Sequence, residues 1–362
     1  MKKRVIFTVT NDLSYDQRMA RICTTLGDAG YDITLVGRKK RCSDSVADRS
    51  YRQVRLYCFF EKGKLFYLEY NIRLFFFLLF QSFDIACGID LDTLLPVYLT
   101  ARLRGKTLVY DAHEYFTEME EVVARPAIKK AWSMLERTIV PKVKYAYTVS
   151  DGYARMFKEK YGTDFQIVRN ATVLNGKPIL KKDDCYILYQ GSVNVGRGLE
   201  ALIEAMPHIN CKLYICGQGD VYDDLKAQTQ ALGLENKVKF WGYIQPEDLK
   251  EFTYHATIGI TLFTNAGLSN QYSLANRFFD YMHAAVPQVA MSYPEYQKMN
   301  SEFEVADLLQ ELTPETISTS INRMLTDREY YKRLRDNCLR AREVYNWQNE
   351  AETLKALYGK IG

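Results

Sequence analysis

The sequence predicts an α/β protein of two consecutive doubly wound domains, each with a mostly parallel sheet, and three observations carry that reading. Short apolar runs alternate with amphipathic helical stretches along nearly the whole chain, as in strand–helix–strand units with helices on both sheet faces. The alternation lapses once, in the polar segment ATVLNGKPILKKDD at residues 171–184, and then restarts with the same rhythm. A length of 362 residues suits two domains better than one.

The elements follow in order. Arg4–Thr10 reads as a strand. Ser14 with Gln17 reads as a capping box for a helix whose stripe is Met19, Ile22 and Leu26 and which ends at Gly30. Ile33–Val36, Asp84–Gly88, Thr107–Asp111, Ala146–Ser150 and Gln166–Val168 are the further strands of the first half. Helices over Thr93–Leu103, Gly152–Tyr161 and the stripe Ile128, Trp132, Leu135 and Ile139 lie between them. Strands Tyr186–Gln190, Lys212–Cys216, Val238–Phe240, Ile258–Thr261 and Val289–Met291 make the second half, and helices Asp327–Tyr345 and Gln348–Tyr358 close the chain. The predicted boundaries are a first domain at 1–170, a linker at 171–184, a second domain at 185–340, and a C-terminal helix at 341–362 packing back on the first domain. Two such domains are expected to face each other across a cleft at the carboxyl ends of their strands, where this architecture takes ligands.

Composition narrows the function classes. Hydrophobic residues make up 47% and charged residues 25%, which excludes a fibre, a disordered tail and a disulfide scaffold. The net charge of +4 is too mild for a nucleic-acid binder. It is unevenly spread: residues 1–150 carry 24 Lys and Arg against 17 Asp and Glu, which suits an anionic partner for the first half. The eight cysteines form no C-x-x-C pair and no zinc-like cluster, and most fall in apolar runs where a reduced thiol is ordinary. Met1–Thr8 has no apolar core of signal-peptide length, so a cytoplasmic location is expected.

Leu65–Phe83 reads LFYLEYNIRLFFFLLFQSF, which Glu69 and Arg73 keep short of the ~20 apolar residues of a membrane span. A helix packed on the sheet is the favoured reading. An interfacial helix is the sharper one, with Lys62, Lys64 and the run Arg38–Arg41 supplying positive charge toward an anionic membrane. The two are compatible if part of the helix face is exposed.

Chemistry concentrates at glycine-bearing strand ends of the second half. Tyr189-Gln190-Gly191-Ser192 runs through Arg197-Gly198 into a helix, where free backbone N–H groups, the helix dipole and Arg197 suit a phosphate. A plain β–α turn is the alternative for any one such loop. Gly217-Gln218-Gly219 and Trp241-Gly242-Tyr243-Ile244 repeat the pattern on the next strands, and three in succession favour a nucleotide site. Ser273, Asn276 and Arg277 open a helix with donors for phosphate, and Asp280 one turn on can accept from ribose hydroxyls.

In this order and spacing the motifs resemble a GT-B-fold glycosyltransferase of the retaining family 4 type, over nearly the whole chain. The matching elements are Arg197-Gly198, Gly217-Gln218-Gly219, Val238-Lys239-Phe240-Trp241-Gly242, and a helix with Asp280 ending in Val286-Pro287. Three positions depart from the pattern: Asp280 stands for a glutamate, Tyr272 for the family's other glutamate, and Ser192-Val193 where a basic residue is common. Ser273-Leu274-Ala275-Asn276-Arg277 matches a Ser-Leu-Pro-Asn-Lys-like subgroup. The resemblance implies Gly191, Ser192, Arg197, Gly198, Gly217, Gly219, Tyr243, Ile244, Ser273, Asn276, Arg277 and Asp280 as donor-binding residues. It places His113 against the donor sugar, Glu114 to orient it or to approach the acceptor, and Asp12 in the loop where acceptor and donor phosphate meet, while Asp16 and Arg18 read as helix-surface or acceptor-side residues. Asp90-Leu91-Asp92 is a D-x-D, but the resemblance implies neither metal nor cofactor, since basic side chains and helix dipoles neutralise the leaving diphosphate.

The implied function is retaining transfer of a hexose-type sugar from a nucleoside-diphosphate sugar to a hydroxyl of a saccharide or lipid-linked acceptor, in cell-surface polysaccharide or glycolipid synthesis. The alternatives are a nucleotide-binding relative without transfer activity and a nucleotide-sugar epimerase of the same fold.

Overall fold

The computed structural model describes residues 2–14, 16–176, 178 and 185–361. It divides the chain into two compact units, one up to Arg169 together with the chain from Glu350 onward, the other Asn170–Asn349.

The first unit is a seven-stranded parallel sheet. Its strands are β1 (Arg4–Thr8), β2 (Asp32–Lys39), β3 (Arg52–Tyr57), β4 (Ile85–Ile89), β5 (Thr107–Ala112), β6 (Tyr145–Thr148) and β7 (Gln166–Ile167), in the order β3-β2-β1-β4-β5-β6-β7. Val5 pairs with Ile33 on one side and Ile85 on the other, so the winding reverses between β1 and β4. The loops leaving those two strands flank the crevice where such sheets bind ligands.

Strand β3 was not foreseen from the sequence. It lies at the sheet edge with Arg52, Gln53 and Arg55 along it, none fully buried, so it lacks the apolar run of a strand covered on both faces. The first helix, Gln17–Asp28, corrects the expected cap. Its N-cap is Asp16, whose carboxylate accepts from the Met19 N–H at 2.9 Å, and Gln17 is already helical. Arg18, which the sequence placed on the helix surface or acceptor side, is buried.

Helix Gly63–Phe80 packs on the sheet with one side and leaves the other side open. Phe66, Tyr70, Leu74 and Leu78 are buried with Ile6 and Val36, while Leu65, Leu68, Ile72, Phe76 and Phe80 on the other side are 49–79% exposed. The neighbouring helix Asp90–Leu103 packs on it and also exposes Leu95, Leu99 and Leu103. Among the described residues no helix is long and apolar enough to cross a membrane.

The second unit holds a six-stranded parallel sheet: β8 (Tyr186–Gln190), β9 (Lys212–Cys216), β10 (Val238–Gly242), β11 (Ile258–Thr261), β12 (Gln288–Met291) and β13 (Ala306–Leu309). Their order is β10-β9-β8-β11-β12-β13, so this sheet reverses between β8 and β11. Ile187 and Tyr189 join one core layer and Tyr186 and Leu188 the other, as strand alternation dictates. Strand β13 was also missed; four residues at a sheet edge give little periodicity to read.

The chain end divides between the units. Helix Arg328–Val344 spans the sequence-based boundary at 341, and its Cys338 and Ala341 are buried with Phe279 and Met282 of the second unit. Helix Trp347–Gly359 follows, and the first unit resumes at Glu350. There the ring of Tyr358 lies 6.1 Å from Phe7 and 6.4 Å from Tyr147. The predicted linker lies partly outside the described residues, in 177 and 179–184.

Candidate functional site

The reversal between β8 and β11 brings residues 191–198 and 262–264 to one crevice of the second unit. At its centre is Arg277, the second residue of helix Asn276–His283. Tyr281 anchors that helix by donating from its hydroxyl to the Leu188 carbonyl at 2.8 Å. Its ring lies on β11 because residue 259 is glycine; a Cβ there would approach the ring to 2.4 Å. Arg277 is 8% exposed, and its guanidinium stacks between Tyr189 at 4.7 Å and Phe263 at 4.8 Å. Its hydrogen bonds to Tyr189 Oη and the Leu262 carbonyl are long, 3.5 and 3.4 Å, and its buried Nε has no partner. Arg197 stacks on the same Phe263 ring at 4.9 Å. Neither arginine has a carboxylate partner among the described residues. Two cations thus share one ring, and the buried one has no counter-ion among the described residues, which leaves positive charge uncompensated in this crevice.

The glycine turns frame it. A Cβ on Gly191 would lie 3.3 Å from Arg277 Nη1, so the guanidinium rests against that turn. Gly198, in the left-handed conformation, precedes helix Leu199–Ala205 and starts its N-terminus. Gly217 and Gly219 serve backbone packing: a Cβ on Gly217 would fall 1.8 Å from the Gly191 carbonyl oxygen, and one on Gly219 2.3 Å from that of Val193. Val193 N–H donates to the Gln218 carbonyl at 3.0 Å and Val221 N–H to the Val193 carbonyl at 3.2 Å, interlocking the two loops. The G-x-G signal therefore holds the turns together.

Other predicted donor residues are placed as follows. Ser192 is exposed, and its carbonyl accepts from Tyr189 Oη at 2.6 Å. Tyr243 is exposed beyond β10, while Ile244 packs on the layer of Tyr186 and Leu188. Ser273 Oγ donates to the Asn270 carbonyl at 3.1 Å, and Asn276 Oδ1 accepts from Asn170 Nδ2 at 2.6 Å. Asp280 accepts from Thr172 Oγ1 at 2.6 Å and Gln190 Nε2 at 3.1 Å, so it ties residue 172 to the end of β8. Sequence reading missed Tyr189, Phe263 and Thr264. Thr264 donates its N–H to the Gly196 carbonyl at 2.9 Å and buries an unpartnered Oγ1.

The first unit gathers a second polar cluster at the carboxyl ends of neighbouring β1, β4 and β5. Asp111, fully buried, accepts from Arg18 at 3.1 Å and pairs with His113 Nε2 at 2.8 Å. Burial works against its charge, yet Arg18 and His113 hold Asp111 below the ordinary carboxylate range. Burial likewise opposes the imidazolium, but Asp111 outweighs it and raises His113. Asp90 has φ +54 and accepts from the N–H groups of His113 at 2.8 Å and Glu114 at 3.3 Å. The Glu114 side chain is exposed. Asp92 accepts from Thr10 Oγ1 at 2.8 Å; burial, and secondarily the charge of Asp90, pushes it up to about 7.

Asp12 stands apart from this cluster in its bonds. It accepts from the Ser14 N–H and from Ser43 Oγ, both at 3.3 Å, with Lys40 Nζ 3.9 Å away. Burial would raise it, but these partners hold it below the ordinary range. Among the described residues no group of three or more His, Cys, Asp and Glu is arranged to hold a metal ion.

This cluster predicts a pH effect. A carboxyl with a raised folded-state pKa stays protonated while its unfolded counterpart ionises, so Asp92 makes stability fall as pH rises from about 4 to about 7. His113, raised by its partner, acts in the same direction: its contribution is present at low pH and lost as pH rises through its folded-state pKa. Asp92→Asn is expected to gain on the order of 2–4 kcal/mol over the parent at pH 8 and nothing at pH 3.5. Urea unfolding at both pH values checks this.

Two parallel, doubly wound α/β units of this kind, the second with cation-lined glycine turns at its switch point, define the GT-B class. Residues 173–340 match the family model of the glycosyl transferases group 1. A protein of Methanocaldococcus jannaschii described as an uncharacterized glycosyltransferase is 26% identical over 186 residues, covering 49% of this chain and 46% of its own length. The match thus spans about half of that relative. Among solved structures, a sucrose-phosphate synthase from Thermosynechococcus elongatus superposes with a TM-score of 0.83 at 16% identity, covering 99% of both chains. Anabaena HepE in complex with UDP and glucose gives 0.76 at 12% identity, again covering 99% of both. At such identities the likeness is one of fold.

Proposed function

We propose that the chain is a retaining glycosyltransferase that moves a hexose-type sugar from a nucleoside-diphosphate sugar to a hydroxyl of a saccharide or lipid-linked acceptor in cell-surface polysaccharide or glycolipid synthesis. The observation that carries the reading is Arg277, buried between two rings beside the Gly191 turn, with an unpartnered Nε and no carboxylate partner among the described residues. With Arg197 it neutralises the diphosphate as negative charge develops on departure, so stabilisation acts where the transition state needs it. The starts of helices Leu199–Ala205 and Asn276–His283 add backbone N–H groups. No metal is required, because the charge is met by guanidinium groups. On the first unit His113, held by Asp111, contacts the donor sugar, Glu114 approaches the acceptor, and Asp12 shapes the adjoining loop.

The test is thermal unfolding with UDP, GDP, ADP and CMP, beginning with UDP because HepE carries it. One diphosphate at a hundred times its dissociation constant should stabilise the protein by about 2.7 kcal/mol. No shift with any member overturns the proposal. A shift without sugar transfer to any acceptor extract favours the inactive binding relative. Conversion of the sugar nucleotide with no acceptor present favours the epimerase.

The acceptor side extends to a cytoplasmic role at the inner face of the membrane. Helix Gly63–Phe80 offers its exposed apolar face beside exposed Lys62 and Lys64, an arrangement that suits an anionic lipid surface. The run Arg38–Arg41 contributes less than its sequence suggests. Arg38 stacks on Phe66 at 4.2 Å and donates to the Glu61 carbonyl at 2.9 Å, and Lys40 leans on Asp12. Sedimentation with phosphatidylglycerol vesicles is expected to fall at least tenfold in Ile72→Glu/Phe76→Glu. Unchanged sedimentation of that variant removes the membrane from the proposal.

A further inference from the structure

A pair of thiols stands outside everything described so far. The Sγ atoms of Cys185 and Cys211 lie 3.0 Å apart. Cys185 immediately precedes β8 and Cys211 immediately precedes β9, and those strands pair in parallel with Tyr186 opposite Lys212. The two cysteines therefore continue the same register by one residue, at the amino ends of the strands whose carboxyl ends bear the Gly191 and Gly217 turns. Cys185 is exposed, whereas Cys211 is buried behind it. Of the remaining cysteines only Cys42 is exposed.

Their environments divide the labour of thiol chemistry. The hydrogen bond from Cys211, with a smaller contribution from Thr257, brings the Cys185 thiol down to about 6. The same contact, and then burial, push the Cys211 thiol up. The contact thus favours ionisation of the outer, solvent-open sulfur and retention of the proton on the inner one. An exposed, acidic thiol next to a resolving thiol is the arrangement disulfide exchange requires.

We propose that Cys185 and Cys211 are a reversible dithiol–disulfide site that reacts with low-molecular-weight disulfides of the glutathione type. The Cys185 thiolate attacks one sulfur of oxidised glutathione, forming a mixed disulfide and releasing one glutathione thiolate. Cys211 gives its proton to solvent and attacks Cys185 Sγ, expelling the second glutathione thiolate, which takes up a proton. Two protein thiols are oxidised and one glutathione disulfide is reduced to two glutathiones. The product ties β8 to β9 and closes a loop that contains Arg197 and helix Leu199–Ala205.

The experiment uses the full chain, folded, with Cys42→Ser removing the other exposed thiol. After incubation with oxidised glutathione at pH 7.5, the protein is denatured in alkylating agent and weighed. The expected product is about 2 Da lighter before alkylation and takes up two fewer alkyl groups than the reduced protein, with both restored by dithiothreitol. A peptide map should place the bond between residues 185 and 211. Adding Cys211→Ser should stop the reaction at a stable glutathione adduct on Cys185, and adding Cys185→Ser should leave the protein unreactive. Full alkylation after oxidation, a bond mapped to other cysteines, or an unmodified Cys185 in the Cys211→Ser protein overturns the proposal.

Discussion

Arg277→Met is expected to abolish stabilisation by nucleoside diphosphates and to lower sugar transfer by roughly 100- to 1,000-fold, the scale on which loss of one preorganised transition-state donor is felt. Methionine keeps most of the volume between Tyr189 and Phe263, so those rings stay packed. It also removes a buried cation whose Nε has no partner. The unliganded variant should therefore unfold at least as high as the parent, because a buried charge without a counter-ion costs stability. Thermal unfolding with and without the diphosphate separates the two effects. A variant that loses stability but keeps its ligand shift would show that Arg277 is only a packing residue.

Arg18→Ala is expected to destabilise the first unit by about 3–5 kcal/mol, as when one partner of a buried ion pair is removed. Asp111 is fully buried, and without Arg18 its charge is left with His113 alone. Arg18 also donates to the Val168 carbonyl at 3.1 Å, so the alanine variant loses a tie to the chain beyond β7. The penalty should depend on pH. At pH 5 a protonated His113 still faces Asp111, whereas at pH 8 less of that charge remains, so the loss is greater at pH 8. Hydrogen exchange in β1, β4 and β5 at the two pH values reads the first unit alone. Equal protection loss at both would remove His113 from the account.

The central strands were legible because burial on both faces leaves a compact apolar run: β8 and β11 carry their sequence-assigned limits, and β4 differs by one residue. Edge strands β3 and β13 were not, since one of their sides makes no ladder and their composition is mixed or short. At the candidate site Arg197, Arg277 and the glycine turns were readable as residue types in order. The Tyr189 and Phe263 rings that hold Arg277 were not, because rings 74 positions apart share no local pattern. Arg18 read as a surface cation for the same reason: its partner Asp111 is 93 residues away.

The sequence by itself determined the alternation of strands and helices, the division into two α/β halves and the residue types at the strand ends. Those are local properties, written in periods of two and 3.6 residues and in the backbone needs of turns. Tertiary structure decided which strand ends became neighbours. The reversals between β1 and β4 and between β8 and β11 set Asp111 against Arg18 and Arg277 against Phe263. It also decided which side of helix Gly63–Phe80 is covered, since a helix apolar all round carries no periodic signal for its own burial. Charge pairing and sidedness depend on distances through space, and a one-dimensional pattern does not encode them until the sheets have formed.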